Sequence, residues 1–493
     1  MNYLELLRLA APELVVVVTA LVVLAADLLA MRELELKFRL RIGAMIASVG
    51  CLVSIGWMSA LPQHTDFLQG TLVADPMREL VQVALLVLTI FTMLLSMESD
   101  FTIHVGEYYA LVLLAAVGMM FLVSSEDILM IFVSLELTSL SLYILTAFNK
   151  RSMQSAEAAL KYFLFGGLSA AFTLFGLSLL YGLSGSTNLA QIAAAIHGPA
   201  LDPLLLAAIV LTVIGFGFKV AAAPFHLWAP DVYQGAPIPS AAFIASGSKV
   251  ASFFVFARVM TVGFKGAEGS GAWHSFAAGW VPVLAIVALL SMVLGNLAAL
   301  AQSSVRRLLA YSAIAHGGYM LLAIMTQGPL SLAALMYYSI TYGLTAAGAF
   351  GVVSVVQEMN GGDRLSDFAG LSRRAPAVSL CMMVFMLSLA GIPPLAGFFG
   401  KFYVFAEALK GPSAGLGMLW LVIFAIAMSA VSLYYYLQVL KQIYVVEAGT
   451  TKNTQAAPVV SQAVLAVLAL AVLVLGCVPD WLVGHLNGAL KLT

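Results

Sequence analysis

LAGIPPLAGFFGKF, Leu389 to Phe402, is the stretch on which the fold turns. It lies inside an apolar segment, 376–409, long enough to cross a bilayer, yet it holds two adjacent prolines, three glycines and Lys401. Proline removes a backbone donor and clashes with the preceding turn. In lipid, the carbonyls freed in this way must meet protein or water. The stretch therefore reads as an interrupted transmembrane helix with a hydrated cavity beside a buried lysine. A kink used only for packing is the plainer alternative. A counterpart earlier in the chain weighs against it: GFGFK (Gly215 to Lys219) is followed by PFHLWAPD (Pro224 to Asp231), a second lysine beside a second proline break.

Around these two breaks the composition is that of a membrane protein. Hydrophobic residues make up 62% of the 493 and charged residues 10%, against roughly 25% charged in a soluble domain. With about twenty apolar residues needed per crossing, the chain reads as an all-α polytopic membrane protein of about fourteen spans. They lie near 11–29, 40–60, 77–97, 107–124, 127–148, 158–183, 203–228, 239–262, 280–300, 306–326, 330–357, 376–409, 416–446 and 458–478. The first ten residues lack a basic leader and a cleavage site, so the first span reads as retained. Cys51, Cys381 and Cys477 are far apart and support neither a metal site nor a disulfide. A net charge of −1 offers no basic field for nucleic acid.

With the N-terminus placed outside, the inner loops hold Arg32, Lys37, Arg39, Arg41, Lys150, Arg151, Arg306, Arg307, Arg364, Arg373, Arg374, Lys441 and Lys452. The outer side holds only Arg8, Arg78, Lys265, Lys410 and Lys491. The positive-inside rule then puts both termini outside and the basic loops in the cytoplasm. An internal repeat agrees. EAALKYFLFGGLSAAF from Glu157 aligns with LAALMYYSITYGLTAAGAF from Leu332, and GFGFK aligns with GFFGK, at offsets of about 175 and 182 residues. Five spans separate equivalent helices, so one repeat is inverted, the architecture of many ion and solute transporters. The expected division is 1–106 for the first three helices, 107–262 for one five-helix repeat, 263–446 for its inverted partner with the interrupted helices seventh and twelfth, and 447–493 for a last helix and tail.

The chemistry rests on ionisable residues deep in these spans. Lys249 lies ten residues, ~15 Å, into its helix and Glu136 nine residues, ~14 Å, into its own; both are near the midplane. Lys219 and Lys401 adjoin the breaks. Ionisable side chains inside a membrane are costly and face a bundle interior or a wet cavity. A desolvated lysine gains and loses a proton in response to a neighbouring charge; an arginine does not. Each could instead be a structural partner or snorkel to the headgroups. Lys161 in particular has Glu157 one turn back, and Arg258 reads as a structural anchor. His226 and His316 are candidate relay elements, or hydrogen-bonded structural histidines. No dinucleotide, Walker, haem or iron–sulfur motif occurs, so the chain is expected to hold no cofactor.

SLELTSLSLYIL (Ser134 to Leu145), PFHLWAPDVYQGAP, SSVRRLLAYSAIAHGGYMLLA (Ser303 to Ala323) and GIPPLAGFFGKFYVF together resemble the antiporter-like membrane subunits of respiratory complex I. Those are related to the large subunits of multi-subunit cation/proton antiporters. Lys401 in GFFGKF resembles the N type and argues against the M type, which carries a glutamate there. The ending after the last span argues against the L type with its long lateral helix. The resemblance implies a proton-translocating subunit of an NADH:quinone oxidoreductase in a bacterial inner membrane. Glu136 and Lys219 would interact, Lys249 would be the central relay and Lys401 the exit-side residue, with Glu157, Lys161, His226 and His316 accessory. Met336 stands where the second repeat would match Lys161. NADH, FMN, iron–sulfur clusters and quinone would belong to partner subunits, and the chain would contact neighbouring antiporter-like and small membrane subunits and lipid. The alternatives are a cation/proton antiporter subunit, a solitary solute transporter, and a structural spacer.

Overall fold

The computed structural model describes residues 7–59, 65–67, 70–196, 202–326, 328–410, 417–447 and 457–492. Lys452, counted above with the inner loops, lies outside the described residues. The chain folds as α1 (Ala11–Leu29), α2 (Leu36–Met58), a hairpin of β1 (Thr65–Phe67) with β2 (Leu72–Ala74), α3 (Pro76–Ser96), α4 (Val105–Ser124), α5 (Ile128–Thr146), α6 (Met153–Ser184) and α7 (Leu189–Ala195). Next come α8 (Pro203–Lys219), α9 (Trp228–Gly235), α10 (Ile238–Ala245), α11 (Gly247–Arg258) running into a π-turn (Val259–Gly263), α12 (Trp280–Leu300), α13 (Val305–Thr326) and α14 (Ser331–Asn360). A 3₁₀ turn (Leu365–Phe368) and α15 (Leu371–Arg374) lead to α16 (Pro376–Ala390), α17 (Ala396–Leu409), α18 (Leu419–Tyr444), α19 (Val459–Cys477) and α20 (Pro479–Leu492).

Among the described residues, twelve segments are long and apolar enough to cross a membrane, and α8 and α16 are shorter apolar helices. Those two are the first halves of the spans expected to be interrupted. The helices start where the sequence supplies caps. Asp75, Asp127, Ser152 and Asp202 accept hydrogen bonds from the free N–H groups of the turns they precede, and α3, α8 and α16 carry proline in the first turn, where no donor is lost.

As expected for an interrupted span, the segment at 203–228 stops at Lys219, turns through residues 220–227 and resumes as α9. Three features differ from the sequence reading. The span expected at 239–262 also breaks, at Ser246, three residues before Lys249. The hairpin, α7 and the helical tail α20 had no span-length signal. Finally, Arg306 and Arg78 are not solvated loop cations. Arg306 is buried and donates to the carbonyls of Tyr233 and Ala236 at the end of α9. Arg78 is buried between Asp75, Glu126 and the Val123 carbonyl. A cation near a helix end finds carbonyls and carboxylates that sequence position alone does not reveal.

The segment α10–α11 together with α13 and α14 is almost wholly buried, whereas α6 and α18 leave most of one face uncovered. The helix bearing Lys249 is thus a central one, and a broad apolar surface is left toward lipid or partner chains.

Candidate functional site

Lys249 enters the core three residues after the Ser246 break. It is 2% exposed. Its Nζ donates to the Ala313 carbonyl of α13 and lies 5.5 Å from the centroid of the Tyr342 ring on α14. Among the described residues no carboxylate pairs with it. A helix carbonyl and an aromatic face tolerate an ammonium without fixing it as a carboxylate would.

One turn along α13 from Ala313 stands His316, also buried. Its Nδ1 is 2.7 Å from the Tyr338 hydroxyl and its Nε2 3.1 Å from that of Tyr436. Tyr436 in turn bonds Ser312. The imidazole is therefore bridged on both nitrogens by hydroxyls, groups that both donate and accept. It also lies within electrostatic reach of both Lys249 and Lys401.

A further turn along α13 is Tyr319, whose ring centroid is 5.4 Å from Lys401 Nζ. Its hydroxyl accepts from Asn296, which accepts from Tyr435 at 2.9 Å. The Lys401 ammonium donates to the Leu389 carbonyl at 2.9 Å, the Ala390 carbonyl at 3.0 Å and Ser429 Oγ at 2.8 Å. Two of these acceptors exist because α16 ends at Ala390, where Gly391 turns the chain at φ +87°. The break thus presents the negative end of a half-helix to the lysine. Ala313, His316 and Tyr319, three residues apart along one helix, connect Lys249 to Lys401.

Lys219 is the last residue of α8 and is half-buried. Its Nζ donates to Ser139 Oγ on α5 and faces the rings of Tyr143 and Phe218 at 5.9 and 5.7 Å. Glu136, one turn from Ser139, acts on it electrostatically without a direct ion pair. The Lys219–Ser139 bond joins the two helices.

On the cytoplasmic side of the expected orientation, Lys161 pairs with both Glu157 and Asp231 at 2.7 Å. Asp231 also binds Arg307 of α13 at 2.7 Å, and Arg307 reaches Gln234. Burial would raise the Asp231 carboxyl, but Lys161 and Arg307 outweigh it and hold the group below its ordinary value. His226, in the turn after α8, is half-buried with no hydrogen-bond partner for Nδ1. Among the described residues no lysine is joined to it. On the opposite face Arg258 pairs with Glu126.

The sequence reading passed over Ser139, Asp231, Arg307, Tyr338, Tyr342, Tyr436 and Ser429. Tyrosines repeated at helical spacing in apolar spans, Tyr338 with Tyr342 above all, were the available signal. The serine and the freed carbonyls carried none.

The family model described as NADH:quinone oxidoreductase/Mrp antiporter, TM, matches residues 125–431. NADH-quinone oxidoreductase subunit N 2 of Acidobacterium capsulatum is 55% identical, with 99% of each chain covered. NADH-quinone oxidoreductase subunit N 1 of Roseiflexus castenholzii is 40% identical over 85% of this chain and 80% of its own. Among solved structures, a chain of respiratory complex I from Thermus thermophilus with bound Aureothin superposes with a TM-score of 0.77 at 35% identity, covering 96% of this chain and 99% of that one. A chain of the Mrp complex from Dietzia sp. DQ12-45-1b gives a TM-score of 0.83 at 21% identity, covering 98% and 97%, and shows shared fold alone.

Proposed function

Because the chain belongs to the NADH:quinone oxidoreductase/Mrp antiporter membrane family, with relatives named subunit N along its full length, we propose that it is a proton-translocating membrane-arm subunit of an NADH:quinone oxidoreductase. It assembles with other membrane subunits of that complex in a bacterial inner membrane, with both termini on the periplasmic side. The redox centres lie in partner chains, and this chain moves protons.

The observation that carries this reading is the line Lys249–Ala313–His316–Tyr319–Lys401 on and around α13. Among the described residues neither of its two lysines pairs with a carboxylate, and both act electrostatically on His316 between them. His316 passes a proton by accepting at one nitrogen and releasing from the other, with Tyr338 and Tyr436 as the flanking hydroxyls. Glu136 biases Lys219 at the first break, and a charge change at that pair is the input to Lys249. Lys401, held by the carbonyls of the second break, is the exit-side residue. Glu157, Lys161, Asp231 and Arg307 tie the first break to α13 and are accessory.

Lys219→Ala and Glu136→Ala in the assembled complex test the assignment. Both are expected to reduce NADH-driven proton translocation while the complex stays intact on native gels. Normal proton-pumping stoichiometry in both variants would remove the pair from the relay. Purification distinguishes this reading from an antiporter subunit. Co-migration of the tagged chain with NADH:quinone reductase activity supports it, and a particle lacking that activity favours the antiporter.

A further inference from the structure

The N-terminal helices enclose a carboxyl that the lysine line does not use. Glu13, in the first turn of α1, is 2% exposed. Its Oε1 accepts from Gln82 Nε2 at 2.8 Å, and the same amide reaches Ser124 Oγ at 2.7 Å. Its Oε2 has no hydrogen-bond partner. Glu13, Gln82 and Ser124 line a cavity of about 30 Å³, room for one or two waters. Leu72, Val73 and Ala74 of the hairpin line it from one side, and Asp75, Arg78 and Glu79 from α3 and its cap.

Arg78, the one cation lining the cavity among the described residues, is committed elsewhere. It bonds Asp75, Glu126 at 2.6 Å and the Val123 carbonyl at 3.1 Å. A carboxylate enclosed in this way without a paired cation is strongly unfavourable, and a bound proton removes the charge. A metal cation would remove it too, but it would have to sit in the same small cavity as a guanidinium, which repels it.

We propose that Glu13 and this cavity form a proton-binding site reached from the hairpin side of the membrane. That side is periplasmic in the orientation proposed above, on which the assignment of the side rests. The site communicates with the relay through ion pairs. Arg78 lines the cavity and pairs with Glu126, and Glu126 pairs with Arg258 at the end of α11, nine residues beyond Lys249. When Glu13 releases its proton, the new negative charge competes with Glu126 for Arg78 and loosens the hold on Arg258. Turnover of the complex then depends on the pH of the hairpin side. The charged groups facing Glu13 are Arg78 and Glu79 of α3 and Asp75 of its cap, with Glu126 and Arg258 behind Arg78.

The test uses the assembled complex in vesicles whose two sides are buffered separately. Dicyclohexylcarbodiimide, an apolar reagent that modifies protonated carboxyls, is the probe, and labelling at Glu13 is read by peptide mass. We expect labelling that falls about tenfold per pH unit above the titration point on the hairpin side, with no response to the other side. We also expect Glu13→Gln to lose the label and to flatten the dependence of coupled turnover on hairpin-side pH, with assembly preserved. An intact complex unlabelled at Glu13 at every pH would overturn the proposal. Protection by sodium but not by choline at equal ionic strength would do the same and assign a metal cation instead. Labelling that follows the cytoplasmic pH would leave the proton site standing and overturn the orientation, so the two readings fail separately.

Discussion

An ammonium group inside a bundle needs acceptors for three protons, and the three lysines meet that need to different degrees. Lys401 has two carbonyls and a serine. Lys249 has one carbonyl and an aromatic face, and Lys219 one serine hydroxyl with Glu136 near it. The best-satisfied lysine thus stands at the proposed exit, and the less satisfied ones at the positions where the proposed relay has charge change most readily. Glu126 shows the opposite principle, a carboxylate pinned by two arginines. Burial would raise it, but Arg258 and Arg78 outweigh that and keep it below its ordinary value. A depressed carboxyl contributes stability above its unfolded pKa, about 4.3, and loses it as pH falls through the folded value. Glu126→Gln is therefore expected to lower the thermal midpoint of the detergent-solubilised complex by several degrees at pH 7, and the difference should vanish in acid. An equal difference at neutral and acid pH would show that the ion pairs are not its source.

The helix breaks were legible in the sequence because proline and glycine act locally, whatever surrounds them. IPPLAGFFGK gave the end of α16 and the start of α17 to within a few residues, and PFHLWAP gave the turn after α8. The break at Ser246 was missed although Ser246–Gly247–Ser248 is a local punctuating signal, because one glycine without a proline is also tolerated inside an unbroken apolar helix. The site was legible to the same extent. Lys219, Lys249, Lys401 and Glu136 stand out as charges in apolar spans, whereas the carbonyl cage of Lys401 exists only once the break has folded. That cage makes a prediction. Gly391 has a φ of +87°, and a methyl there would approach Lys401 Cδ at 3.1 Å. Gly361 has a similar φ, +75°, with open space around it. Alanine at either position is expected to cost about 1–2 kcal/mol in backbone strain. Only Gly391→Ala should also lower coupled proton translocation, measured against NADH oxidation in proteoliposomes. Equal effects of the two on translocation would mean that the cage has no role beyond backbone stability.

Across the whole molecule, charge placement was the least legible feature. Arg306 and Arg78 count as loop cations by position, yet one caps α9 and the other joins the Glu126 clamp. Both are internal because helix ends in this bundle are buried by other helices. What emerges is a core of α10–α11, α13 and α14 in which the proposed proton-carrying groups lie along α13, with α11 bringing Lys249 to it and α17 bringing Lys401. The clamp Glu157–Lys161–Asp231–Arg307 and the clamp Arg78–Glu126–Arg258 brace that core at its two faces. Such an arrangement serves as a spacer only if Lys249 can be removed without consequence. The most direct test is the number of protons translocated per NADH oxidised by the reconstituted complex carrying Lys249→Ala. A lower ratio with the complex fully assembled is the result this account predicts, and an unchanged ratio would contradict it.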